Sequence, residues 1–186
     1  MVTVQSFTQA VPADTLDAPA FVTPTFPSDL TDWVSSTTLL SIVEGAAERA
    51  RGTPWLELLG GTPSATPQED LLVLVAYCYL QGIYRSVEVV EQLDTNDTLS
   101  AMRSRLGLRP EHVRHFRRER RSALVDCLTF SLSRLWRRRS ERFSSEHFTD
   151  SLVSNRLSFG LLEPFYRQAR ERLDRAIVLD SMALDD

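Results

Sequence analysis

Ten consecutive apolar residues, Leu71 to Leu80, follow Glu69 and Asp70 and run into Gln81 and Gly82. A segment that is apolar on every side has to be buried on every side. It is far shorter than the roughly 20 residues needed to cross a bilayer, so protein rather than lipid must surround it. Thr66-Pro67 supplies a start, with proline at the first helical position and two carboxylates beside the positive end of the helix dipole. The pattern predicts a helix from Pro67 to about Gln81, ended by Gly82, at the centre of a bundle.

Helical spacing continues on both sides of that run. Ser28 or Asp29 caps a short turn carrying Leu30 and Trp33. Thr37 or Thr38 opens a helix to about Arg51, with Leu39, Leu40, Ile42, Val43, Ala46 and Ala47 as its apolar stripe and Gly52 as its stop. A short segment, Trp55 to Leu59, and a TPSATP loop (62–67) lead into the central helix. Ser86 caps a helix to about Leu93, with Val87, Val90 and Leu93 inward. A further short helix covers roughly 97–106, with Leu99, Met102 and Leu106 on one side. Gly107 breaks it, and Pro110 begins the next helix at its favoured position. Val113, Phe116, Leu124, Cys127, Leu128 and Leu135 then recur at helical spacing, which predicts an unbroken helix to about Arg139. Ser144 or Ser145 starts another, and a last one runs from Pro164 to about Met182.

No alternating run or Asn-Gly hairpin signals a strand. The expected fold is therefore an all-α helical bundle containing a helix-turn-helix-like unit at about 67–121. Residues 1–27, with Pro12, Pro19, Pro24 and Pro27, read as a flexible or extended arm, although Phe7, Phe21 and Phe26 are costly to leave in water. Residues 28–142 form the helical domain. Residues 143–186 supply helices that pack on the bundle or extend it.

The net charge of −4 conceals a strong segregation. Residues 1–102 hold 3 Arg against 13 acids, residues 103–142 hold 13 Arg against 4 acids, and residues 143–186 hold 5 Arg against 8 acids. The middle segment is thus at +9 inside an acidic chain. All 21 basic residues are arginine. GC-rich coding explains that bias well enough, but the planar five-donor fork of arginine still suits phosphate and guanine edges.

The basic segment falls on a recognisable arrangement: a central apolar helix, two short helices, a glycine turn, and a helix with a basic free face. On the helix that starts at Pro110, Val113, Phe116, the stem of Arg120 and Leu124 form the core side. The opposite side presents His112, Arg114, His115, Arg117, Arg118 and Arg121, with Arg109 just before the helix start. Pro110 places the positive end of the helix beside these residues, where phosphate is favoured. A second basic run, Arg137, Arg138, Arg139 and Arg142, either extends a phosphate-contacting surface or solvates a helix end.

In order along the chain, Tyr79, Gly82, Ile83, Ser86, Glu91, Leu106, Gly107, Pro110, His112, Phe116, Arg117 and Arg118 follow a known pattern. The stretch resembles the N-terminal DNA-binding domain of InsH-type insertion-sequence transposases over about 55 of the 186 residues. That resemblance implies binding to double-stranded DNA. The chain departs from the pattern at Arg114 and His115, where the family commonly has Thr-Ile. It also lacks the following ribonuclease-H-like domain: only 65 residues follow Arg121, and they read as helices. Two-metal strand transfer needs acids held on a rigid sheet, so the resemblance implies DNA binding without transposase catalysis, as in a regulator or accessory factor.

Other chemistry is weakly signalled. His112 and His115 lack further ligands at zinc spacing, and no metal site is expected. Cys127 lies on an apolar stripe, as does Cys78; both read as buried free thiols in a reducing cytoplasm. Tyr77, Tyr79 and Tyr84 read as core packing with wetted hydroxyl tips. Gly60-Gly61 lacks the lysine and helix of a phosphate loop. No catalytic residue, cofactor, small-molecule substrate or membrane segment is expected, and a basic n-region with an apolar h-region is missing at the N-terminus. The expected location is cytoplasmic, on the nucleoid if DNA is bound. The alternative to DNA binding is a helical interaction module whose basic face docks an acidic partner or pairs copies of the chain in a homodimer. The acidic first hundred residues either keep the chain soluble or fold back on the basic face.

Overall fold

A computed structural model describes residues 24–51, 67–143 and 159–183. The described residues form seven α-helices: α1 (Ser36–Arg51), α2 (Pro67–Leu80), α3 (Ser86–Thr95), α4 (Ser100–Arg103), α5 (Pro110–Glu119), α6 (Arg121–Phe143) and α7 (Phe159–Met182). A 3-10 turn, Asp97–Leu99, links α3 to α4, and no strand occurs among the described residues. The all-α expectation is met. The chain before residue 24, the Trp55–Leu59 segment with most of its loop, and the helix expected from Ser144 or Ser145 lie outside the described residues.

The apolar run dictates the architecture as its composition requires. Every residue from Leu71 to Leu80 is buried, enclosed by α1, α3, α5 and α6. Enclosure on all sides corrects one reading: the hydroxyls of Tyr77 and Tyr79 are not wetted but buried, with no hydrogen-bond partner among the described residues. Only Tyr84 of the three has its hydroxyl engaged, accepting from Arg172 at 3.2 Å. The two cysteines are free and buried.

The C-terminal end of α2 is closed by three devices. Gly82 takes φ +77°, which lets Ile83 N–H reach the Cys78 carbonyl at 3.0 Å and Gly82 N–H reach that of Tyr79 at 3.3 Å, the paired bonds of a glycine-terminated helix. A Cβ on Gly82 would sit 3.2 Å from the Ser28 carbonyl oxygen, so close approach adds to the backbone requirement. Leu30 N–H donates to the Leu80 carbonyl at 2.9 Å. From α7, Arg172 donates to the Tyr79 carbonyl at 2.6 Å.

Around this core, α6 packs along α1 on one side and α7 on the other. Phe26 anchors the segment before α1: its ring lies 5.5 Å from Trp33, 5.8 Å from Trp136 of α6 and 6.0 Å from Phe165 of α7. The aromatic residue that was costly to leave in water is thus packed between three others.

Two boundaries and one buried face differ from expectation. The helix begun at Pro110 does not run to Arg139; it stops at Glu119, and α6 starts at Arg121. Arg120 at the junction has φ −114° and ψ 30°. No proline or glycine marks the break; α5 packs on α3 while α6 packs on α1 and α7, and the change of direction follows from those separate partners. In α3, Val89 and Leu93 point inward and Val87 is exposed, because the helix presents Ser86, Val89 and Leu93 to the core. Finally, α7 begins at Phe159 and carries Pro164 inside it, where the proline forfeits one hydrogen bond near the open end.

Candidate functional site

The basic segment is divided between α5 and α6, and the geometry sorts its arginines into two groups. In α5, Pro110 takes the first position and Arg109 precedes the helix in extended conformation, φ −122° and ψ 158°. The backbone N–H of Arg109 donates to Nδ1 of His112 at 3.2 Å, so His112 closes the first turn in the manner of a reciprocal cap. That leaves Nε2 of His112 as the donor facing solvent. His115 lies within 3.2 Å of Glu119, both exposed.

Arg117 corrects the expected open face. Its side chain is 2% exposed, because the helical repeat places 113, 116, 117 and 120 on one side of α5, with Val113, Phe116 and Arg117 buried. The guanidinium donates to the Asp180 carboxylate of α7 and to the hydroxyl of Ser86 at the start of α3. The Tyr79 ring lies 6.0 Å away. Ser86 completes the cluster, donating both its N–H, at 2.8 Å, and its hydroxyl to Asp180. Ser86 is therefore not a cap for α3 but a buried link between α3, α5 and α7. Arg117 is unavailable to a ligand in this arrangement.

Other members of the expected surface are partly engaged. Arg114 is half-buried and pairs with Glu111 at 3.5 Å. Arg121 pairs with Asp174 of α7 at 2.6 Å, in the open, at 47% and 51% side-chain exposure. Arg120 donates to Gln68 at 2.9 Å. Among positions not predicted to matter, Arg105 meets Asp70 at 3.0 Å and Arg103 donates to the Leu93 carbonyl at 2.9 Å. The guanidiniums of Arg109 and Arg118 are exposed and have no carboxylate partner among the described residues.

The second basic run is the more open of the two. Arg134, Arg137 and Arg138 are exposed on α6, with one carboxylate contact among the described residues, Arg137 to Glu141 at 3.7 Å. Arg139 lies 4.4 Å over the face of Trp33, a cation–π geometry. The side chain of Arg142 lies outside the described residues. Arg134, absent from the sequence-derived set, reaches across to α1, where a Cβ on Gly45 would come within 3.1 Å of its Nη1.

Among the described residues no group of three or more His, Cys, Asp or Glu is placed to hold a metal ion. Burial pushes the Cys127 thiol up to about 12, and raises Cys78 and the Tyr79 phenol further still. These groups stay protonated at neutral pH, which makes both thiols poor nucleophiles. No helix among the described residues is long and apolar enough to cross a membrane. Comparison of the chain with protein-family models, with curated proteins and with solved structures finds no match.

Proposed function

We propose that this protein binds double-stranded DNA through the arginines that its own carboxylates leave open, and that it does so without transposase catalysis, as a regulator or accessory factor. The observation carrying this reading is the uneven neutralisation of the basic segment. Arg109 just before α5, Arg118 on it, and Arg134, Arg137 and Arg138 on α6 face solvent, with Glu141, 3.7 Å from Arg137, as their one carboxylate partner among the described residues. Free guanidiniums at fixed positions on rigid helices suit phosphate contacts. The resemblance of residues 67–121 to a transposase DNA-binding domain supports the same reading, with His112 and His115 as auxiliary polar contacts on α5.

The test is binding to a short random-sequence duplex as salt is raised. Log affinity should fall with log salt, at a slope of about 0.9 per phosphate neutralised. R137A/R138A and R109A/R118A should each lower both affinity and slope while leaving the fold unchanged. Equal binding by both double variants would overturn the reading.

One observation favours the alternative, a module that docks an acidic protein. Two carboxylates already lie on the basic segment, since Asp174 and Asp180 of α7 meet Arg121 and Arg117. Absence of any shift with duplex at low salt, together with a dimer mass for the purified chain, would favour that reading.

A further inference from the structure

The C-terminal half of α7 is held by a narrow set of contacts. The buried stripe of the helix runs through Ala169, Arg172, Leu173 and Ala176. Beyond it Ile177, Val178, Ser181 and Met182 are exposed, and only Leu179 and Asp180 still face the body. Asp180 is thus the terminal fastening of the helix. Its side chain, 12% exposed, accepts from Arg117 and Ser86 together.

The two carboxylates that α7 offers are spent on the same chemistry a phosphate would meet. Asp174 and Asp180 are six residues apart, about 9 Å along the helix. They engage Arg121 and Arg117, which flank the α5–α6 junction. Each is a negatively charged oxygen acceptor facing a guanidinium fork, as a phosphate oxygen would be. Beyond Ala176, α7 presents Ile177, Val178 and Met182 to water and only Leu179 still packs on the core, so little apolar burial opposes release of Asp180, while the exposed Asp174 can leave Arg121 by side-chain rotation alone.

Resting on the DNA reading above, we infer that the last turns of α7 act as an internal competitor of DNA: Asp174 and Asp180 occupy Arg121 and Arg117, and their release adds those two arginines to the phosphate-binding surface. The device is autoinhibitory. A purely structural role for the Arg117–Asp180–Ser86 cluster predicts the opposite sign, because weakening the cluster would then loosen the fold and lower affinity.

The experiment titrates a short random-sequence duplex with the full-length chain and with D174A, D180N and E171Q. D174A breaks an exposed pair and poses little risk to folding. D180N keeps an oxygen for Ser86 and Arg117 but removes the charge. E171Q changes net charge equally on the same helix without touching either arginine. D174A and D180N should bind more tightly than the parent, and E171Q should gain less. From about 200 to about 50 mM salt, the advantage should grow about 3.5-fold for each phosphate contact added. Adding R117A to D180N should remove the gain. If the parent binds DNA and neither D174A nor D180N differs from E171Q, the inference is overturned and the DNA reading stands. If no form binds, both fall.

Discussion

Arg172 of α7 closes the end of α2 by donating to the Tyr79 carbonyl oxygen at 2.6 Å. The same guanidinium donates to the Ser28 carbonyl at 2.7 Å, to the Pro27 carbonyl and to the Tyr84 hydroxyl. All four acceptors are neutral. Burial therefore pulls the Arg172 pKa down, with Tyr84 opposing. The negative end of the α2 dipole, where these carbonyls gather, offsets part of that cost.

Arg172→Met should destabilise the fold by about 1–3 kcal/mol, the cost of leaving buried acceptors unpaired, reduced by relief of the buried charge. Arg172→Lys should recover only part, since one ammonium cannot span the fork's partners. Urea unfolding of the three forms measures both effects. Equal stability of the methionine variant and the parent would contradict the capping role.

The Arg117–Asp180 pair should respond asymmetrically. Removing Asp180 strands a guanidinium that is 2% exposed, whereas removing Arg117 leaves a carboxylate at 12% exposure with a path to water. D180A should therefore cost more than R117M, at about 3–5 kcal/mol for the stranded charge. The double variant R117M/D180A should be more stable than D180A alone. Denaturant midpoints across this four-member cycle decide the point.

Alkaline pH should weaken the fold through its thiols. Burial holds Cys127 protonated up to about 12, against an ordinary value of 9.0, and Cys78 shifts in the same direction. The unfolded chain ionises first, so stability present below pH 9 is lost as pH rises toward 12. C127A should flatten part of that decline in urea titrations at stepped pH. A thiol reagent at neutral pH should label neither cysteine until denaturant is added.

Asp126 of α6 is partly buried, and desolvation raises its pKa. The raised value means the charged form is disfavoured in the folded state, so the penalty is present at neutral pH and fades as pH falls into the carboxylate range. Asp126→Asn should stabilise the fold at pH 7 by less than about 1 kcal/mol after solvent screening. Its advantage should shrink on acidification, which thermal unfolding at two pH values would reveal.

Features set by strictly local chemistry could be read from the sequence. Pro67 and Pro110 mark helix starts, Gly82 marks a turn that only its φ of +77° permits, and Leu71–Leu80 announces its own burial. Features set by tertiary partners could not. Arg120 ends a helix with no residue suited to breaking one, because two halves of a continuous pattern pack on different neighbours. Arg117 is the instructive miss. Its position four residues after Val113 puts it on the buried side, but its charge argued for solvent, and only a carboxylate 63 residues away resolves that conflict. Arg137 and Arg138 are exposed, as a run of adjacent arginines on a helix suggests, with Glu141 the one carboxylate near them among the described residues.

The bond from Arg172 to the Ser28 carbonyl joins positions separated by 144 residues. While a chain is being synthesised from its N-terminus, the Pro27, Ser28 and Tyr79 carbonyls therefore wait for α7 to bring their shared guanidinium. A nascent chain paused short of residue 172 has the four helices that enclose α2 but leaves those buried acceptors without their guanidinium, a stage at which aggregation competes with folding.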